Sequence, residues 1–352
     1  MQQINKKHCI LRLPRSSNLS SQVMITTSLA YNSISMYSFK AYENQNLSTR
    51  NELTIKLIIN IGDDAELSQI IYMNYKIYLI TMDKTDQFWS FMDNGAREMA
   101  SMLGVTYVWD APLTRDVNKQ IEIFNNAVAA GADAIMLAAS DPIKISTSVE
   151  EAESKGVKII YVDAPAFEQA IVTLATDNYA AGEIAGENMF YELDAAGFTN
   201  GSIGIIGVTP ENRTTVNRDL GFRDYFNLFS KYQILDTIYT NGDSELAEQA
   251  TKKYIRDNPN LVGIFSTNEG TTLGMGNALI ESNTNIIVIG FDITETIQQM
   301  IRNDIIKAVL VQSPFTMGYL GMAEAIAALR GLDTGSQFIN TGVTVVNRYT
   351  PV

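Results

Sequence analysis

A series of short apolar runs in this sequence is followed, each time at once, by acids, amides or flat aromatics. KIYLITM at 76–82 leads to Asp86, Phe88 and Trp89; DAIMLA at 133–138 leads to Ser140 and Asp141; VKIIYV at 157–162 leads to Asp163. SIGIIG at 202–207 leads to TPENRTTVNRDLGF, which contains Asn217 and Arg218, and LVGIFS at 261–266 leads to Asn268 and Glu269. IIVIGF at 286–291 runs directly into Asp292, and IKAVLV at 306–311 into Gln312. Carboxylates accept hydrogen bonds from vicinal hydroxyls, amides both donate and accept, and an aromatic face covers the C–H patches of a sugar ring. The set reads as recognition of a polyhydroxylated ring.

Each residue also has a purely structural explanation. Asp and Asn after a strand commonly cap the next helix, which suits Asp141, Asp163 and Glu269. Phe88 and Trp89 serve equally as the first core residues of a helix, and Arg213 and Arg218 on a helix are by default solvated. Asp292 is harder to explain this way, because no turn residue separates it from the apolar run.

Composition removes several chemistries. The only His and Cys are His8 and Cys9, so the body of the chain holds no Cys nucleophile, Ser-His-Asp relay, disulfide framework or ordinary zinc site, and no cofactor is implied. A formal charge of −13, with no dense Lys/Arg run, argues against nucleic acid. The glycines of GTTLGMGNA at 270–278 do not form a dinucleotide fingerprint, and no phosphate-loop lysine is present. No apolar run reaches the roughly eighteen residues of a membrane span. Lys6 and Lys7 resemble the start of a signal peptide, but ILRLPRSSNLSS is no apolar core for one.

The elements that must position these residues alternate regularly from residue 76. Strands are expected near 76–82, 105–110, 133–138, 157–162, 202–207, 233–240, 261–266, 286–291 and 306–311, with an extra short strand in AIVTLAT at 170–176. Amphipathic helices fall between them, the first with Phe91, Met92, Ala96, Met99, Ala100 and Leu103 facing the sheet. The others are expected near 115–130, 144–155, 178–194, 211–229, 244–258, 270–282, 294–303 and 315–330. The rhythm breaks near Thr176 and Asp177 and then resumes, which predicts an α/β protein of two doubly wound parallel-sheet lobes. Residues 1–75, rich in Ser, Asn, Thr and Tyr, read as an N-terminal extension in which TIKLIINIG and LSQIIYMNY are strand or helix pieces.

The ordered pieces DQFWSFMDNGAREMASMLG, IIYVDAP, TLATDNYAAGEIAG, GIFSTNEGTTLGMGNAL, VIGFD and VLVQSPFTMGYLG resemble the periplasmic sugar-binding proteins of ABC importers, in particular the ribose-binding branch, over about residues 76–350. The resemblance implies the type I periplasmic binding protein fold, its lobes joined by a three-segment hinge. One lobe would comprise residues 76–176 plus about 313–334, the other 177–312 plus about 341–352, with crossings near 176–177, 312–313 and 334–342. It makes Asp86, Phe88, Trp89 and Asp163 the first-lobe contacts, Asn268, Asp292 and Gln312 the second-lobe and hinge contacts, and Asn217 or Arg218 a further one. Ribose binders carry an Arg where this chain has Ala164 and an Asn where it has Ala138, which points away from ribose itself.

The implied activity is capture of a monosaccharide between lobes that close over it, by a monomer, outside the cytoplasm, with no bond made or broken. The partner would be an ABC permease, or alternatively a membrane kinase or chemoreceptor that senses the bound sugar. Transcriptional regulators of the lactose-repressor family share such a core, but residues 1–75 lack the pattern and positive charge of a helix-turn-helix.

Overall fold

The computed structural model describes residues 7–14, 52–59, 75–228, 231–282, 284–332 and 335–350. The chain divides into two units, Met1–Tyr72 and Met73–Val352. In the first, β1 (Lys7–Pro14) and β2 (Glu52–Ile59) pair antiparallel, in register from Lys7 opposite Ile59 to Pro14 opposite Glu52. The expected piece TIKLIINIG therefore contributes Thr54–Ile59 to a strand, whereas LSQIIYMNY, apart from Tyr75, lies outside the described residues.

The second unit begins with β3 (Lys76–Ile80), α1 (Gln87–Leu103), β4 (Thr106–Asp110), α2 (Val117–Ala129), β5 (Ala134–Leu137), α3 (Ser146–Ser154), β6 (Lys158–Val162) and β7 (Thr173–Ala175). It continues with α4 (Asn178–Ala195), β8 (Gly201–Gly207), α5 (Arg213–Asn227), β9 (Tyr232–Ile234), β10 (Ile238–Tyr239), α6 (Ser244–Asp257), β11 (Leu261–Ser266), α7 (Glu269–Glu281), β12 (Ile287–Phe291), α8 (Glu295–Arg302) and β13 (Ala308–Gln312). The last elements are α9 (Pro314–Leu329), β14 (Phe338–Asn340) and β15 (Val343–Asn347).

These strands form two sheets. One has the order β14-β7-β6-β5-β3-β4, all parallel. The other runs β10-β8-β11-β12-β13-β15, with β9 also on β8, and only β15 antiparallel. Successive strand residues point to opposite faces, and here both faces are apolar, as a parallel sheet covered on both sides requires. In the first lobe Leu79, Met136 and Val162 pack with α1 and α9, while Ile80, Ile135 and Tyr161 pack with α2 and α3. In the second, Ile205, Phe265 and Phe291 pack with α4 and α5, while Ile206, Ile264 and Val288 pack with α6, α7 and α8.

Two helix pairs, one in each lobe, pack by backbone approach. A Cβ at Gly95 would strike the carbonyl of Phe315 and one at Gly318 that of Met92, so α1 and α9 lie against each other. Gly182 and Gly221 do the same for α4 and α5, against the carbonyls of Arg218 and Tyr179.

Three details differ from the expectation. Phe91 and Leu103 are exposed, because the buried stripe of α1 runs through Phe88, Trp89, Met92, Ala96 and Ala100. The segment 233–240 is broken into β9 and β10, since Arg223 donates to the Leu235 carbonyl and the Thr237 hydroxyl, and Tyr254 to the Asp236 carbonyl, where a continuous strand would run. The third crossing between lobes is confined to Thr341 and Gly342, between β14 and β15. It is tied to the first by Thr341 N–H donating to the Ala175 carbonyl and Thr176 Oγ1 to the Gly342 carbonyl.

Candidate functional site

In the first lobe the chain leaves β3 through a tight turn organised by Asp83. Its Oδ1 accepts from Thr85 N–H at 2.9 Å, Thr85 Oγ1 at 2.8 Å and Asp86 N–H at 3.1 Å. Its other oxygen accepts from Arg115 Nε at 3.0 Å, and Arg115 Nη2 reaches Asp86 Oδ2 at 3.1 Å. Gln120, fully buried, fixes the neighbouring strand ends: its amide donates to the Thr81 and Ala138 carbonyls and accepts from Ser140 N–H. These bonds hold the outlets of β3 and β5 at one level, the carboxyl end where open α/β sheets bind ligands.

The second lobe presents its own strand ends opposite. Asn268 caps α7 by accepting from Thr271 N–H, while its Nδ2 donates across the cleft to Asp86 Oδ2 at 3.2 Å. Glu269 follows, and its two carboxylate oxygens accept from the first-lobe amides of Gln87 at 2.8 Å and Phe88 at 3.1 Å. Arg218 is 2% exposed, donates to Asn178 Oδ1 and the Thr267 carbonyl, and lies 4.0 Å above the Phe291 ring. Asp292 accepts from Gln312 Nε2 at 3.0 Å, leaving Gln312 Oε1 buried without a partner among the described residues. Between the lobes, beside the Ser313 crossing, lies a cavity of about 380 Å³ whose lining includes Phe88, Phe91, Glu269, Asp292, Gln312 and Phe315.

Asp163 and Asp292 sit at the ends of β6 and β12 with φ of 65° and 64°. The left-handed region costs a non-glycine residue energy, though Asp tolerates it better than most, and such strain concentrates at functional sites. The cleft gathers Asp83, Asp86, Asp163, Asp292 and Glu269 against Arg115 and Arg218, and its electrostatics follow from that surplus of acid. Burial, with Asp83 and Asp292 nearby, pushes Asp86 up to about 6 against the pull of Arg115. Burial also lifts Asp163 to about 6 against Arg218, and raises Asp292. Glu269, buried beside Asp86 and Asp292, rises to about 8 although two backbone N–H groups favour its charged form. For Asp83 burial is outweighed by Arg115 and by the bonds from Asp86 and Thr85, and its carboxyl is held below the usual range.

Such a cleft, between two parallel-sheet lobes with three crossings, has relatives. The sequence matches the periplasmic binding protein domain over residues 77–333. The chain belongs to that family. It is 26% identical over 217 residues to a ribose import binding protein of Bacillus subtilis, covering 61% of this chain and 69% of that one. With a D-apiose import binding protein of Actinobacillus succinogenes it shares 25% identity over 268 residues, 75% of this chain and 85% of the other. A carbohydrate-transporter solute-binding protein of Agrobacterium radiobacter, solved with D-arabinose, superposes with a TM-score of 0.76 at 29% identity, over 78% of this chain and 95% of that one.

In this periplasmic binding protein the structure brings together Asp86, Phe88, Asn268, Asp292 and Gln312, with Arg218 and Asp163 electrostatically linked to Asp292. Asn217 is exposed: one residue along a helix is a turn of about 100°, and only Arg218 faces inward. Trp89 is 2% exposed in the first-lobe core, edge-on to Phe88 at 4.8 Å, and Phe88 rather than Trp89 lines the cavity. Asp141 accepts from the amides of Ile143 and Lys144 and so closes its own turn. Sequence reasoning missed Asp83, Arg115 and the role of Glu269 across the cleft. The spacing D-K-T-D at 83–86 carried the signal for an Asp-centred turn, but nothing local marked Arg115 as buried.

Proposed function

We propose that this protein is an extracytoplasmic solute-binding protein that captures a monosaccharide between its lobes and delivers it to an ABC sugar importer. The observation that carries the reading is the interlobe cavity of about 380 Å³, where the aromatic Phe88, the carboxylate of Asp292 and the amide of Gln312 converge. A small, mostly apolar hollow with few convergent polar groups is the usual form of a small-molecule site. Phe88 offers a face to ring C–H groups, Asp292 accepts from hydroxyls, and Gln312 Oε1 is a ready acceptor. Asp86 and Asn268, bonded to each other across the cleft, and Asp163 and Arg218, electrostatically linked to Asp292, are the further polar groups that would meet the ligand. The named sugars of relatives, ribose, apiose and arabinose, are neutral monosaccharides, and this is the class proposed here.

The protein acts as a monomer and transforms nothing: the ligand contacts both lobes only when they are closed, so its binding energy shifts the population toward that form. A thermal-shift screen against neutral pentoses and hexoses tests the proposal, because a native-state ligand at a hundred times its Kd adds about 2.7 kcal/mol of stability. Small-angle scattering with the best hit should show contraction. No shift with any neutral monosaccharide would sink the reading.

A further inference from the structure

The helix that carries Phe88 lacks a cap of its own. α2, α4, α5, α6, α7 and α8 each begin with a side chain that accepts from a first-turn amide: Asp116, Asp177, Asn212, Asp243, Asn268 and Thr294. At α1 the corresponding residue, Asp86, makes no such bond and the first turn contains no acid. Its carboxylate is drawn away to Arg115 and Asn268. The first amides of a helix have no partner within it and carry the positive end of its dipole, so they need an acceptor.

That acceptor comes from the other lobe. Glu269 Oε1 and Oε2 take the amides of Gln87 and Phe88 at 2.8 and 3.1 Å, across 182 and 181 residues of sequence. The next residue, Gly270, seats the start of α7 within its own lobe, since a Cβ there would strike the Gly242 carbonyl, and that Cβ position lies 3.6 Å from Asp86 Oδ1 of the first lobe. We infer that Glu269 is a positioning residue that caps α1 across the cleft, so that closing the lobes itself completes the helix terminus holding Phe88. The inference rests on the proposed opening and closing of the lobes, but not on any sugar.

Two consequences follow. The closed form is partly stabilised before ligand arrives, and the ring that faces the cavity is set only when the second lobe has come down upon it. An alternative role is local, because Glu269 is also an acid in the first turn of its own helix α7. The two roles predict different sites of damage.

The test uses the full chain without sugar. Amide exchange is followed in Glu269→Ala and Glu269→Gln, and lobe separation is measured by electron-spin distance between labels at Ile143→Cys and Leu246→Cys in a Cys9→Ser background. Both labelled positions are exposed, one in each lobe. Glu269→Ala should speed exchange at Gln87 and Phe88 and lower the closed-to-open ratio about tenfold or more, as loss of two hydrogen bonds implies. Glu269→Gln, which keeps one acceptor oxygen, should fall between the parent and the alanine variant. If Glu269→Ala quickens exchange within α7 alone and leaves the label distances as in the parent, the residue serves its own helix and the inference is overturned. A closed-to-open change in a protein that binds no monosaccharide would leave the cap standing and refute only the sugar reading.

Discussion

Asp163 and Asp292 are counterparts on opposite lobes: each follows the last residue of a buried strand, each has a left-handed backbone with φ of 65° and 64°, and the Arg218 guanidinium acts on both carboxyls. The molecule thus places a left-handed carboxylate at one strand end of each lobe, and Arg218 links the two electrostatically. Asp292 is the better one to test, because its partner Gln312 belongs to the hinge strand β13.

Asp292→Asn should retain the fold. Asn adopts the left-handed region readily, one oxygen still accepts from Gln312, and a buried charge among other acids is removed. Binding should weaken by about 1.5–3 kcal/mol, the range for a hydrogen bond to a charged group. Calorimetric titration with the sugar found by screening, beside a denaturation curve, measures both quantities. A less stable variant with unchanged affinity would mark Asp292 as purely structural.

Phe88 and Trp89 should separate cleanly. Trp89 lies in the first-lobe core, so Trp89→Ala should cost about 3–5 kcal/mol of stability through the cavity it leaves. Phe88→Leu keeps core volume but removes the flat face that lines the interlobe cavity, so its effect should appear in affinity, about 1–2 kcal/mol, with stability lowered less. Equal affinity losses from both substitutions would contradict the assignment of the ring contact to Phe88.

The alternation of strands and helices was legible because parallel strands buried on both faces read as unbroken apolar runs, and the polar residues after them stand where the topology places a site. Arg115 was not legible. Its burial depends on Asp83 and Asp86, about thirty positions away, and an Arg in APLTRD looks like any solvated loop residue. Glu269 was visible only as a cap, since its partners across the cleft are set by how the lobes meet. Phe88 and Trp89 could not be told apart either, because adjacent positions on a helix differ by rotation alone and the direction of the cleft is a tertiary fact.

Arg115 holds two buried acids, and removing one side of such a cluster leaves the other uncompensated. Arg115→Met should therefore cost about 3–5 kcal/mol of stability. Adding Asp83→Asn and Asp86→Asn to the same chain should restore much of it, because the charges that lost their partner are then gone. Chemical denaturation of the single and triple variants checks this. A triple variant no more stable than the single would show that Arg115 matters for packing rather than for charge.

Closure should be coupled to protons. In the closed cleft burial pushes Glu269 up to about 8 from an ordinary 4.5, and Asp86 and Asp163 up to about 6 from 3.8; Arg115 opposes part of the rise at Asp86, Arg218 and Arg115 part of that at Asp163, and the amides of Gln87 and Phe88 part of that at Glu269. An opened cleft returns these carboxyls to water, so closing takes up protons wherever the closed-form value exceeds the open one. For a raised group the stabilisation is fully present below the open-form value and is lost as pH climbs through the closed-form value. Affinity should accordingly fall as pH rises, through about 6 for Asp86 and Asp163 and through about 8 for Glu269, by at most about tenfold per pH unit for each proton. Titrations with the screened sugar across this range should give a Kd that increases with pH, and Glu269→Gln, which cannot ionise, should lose the upper part of that increase. A Kd that is constant or decreases toward alkaline pH would mean that the acids of the closed cleft bind no extra protons.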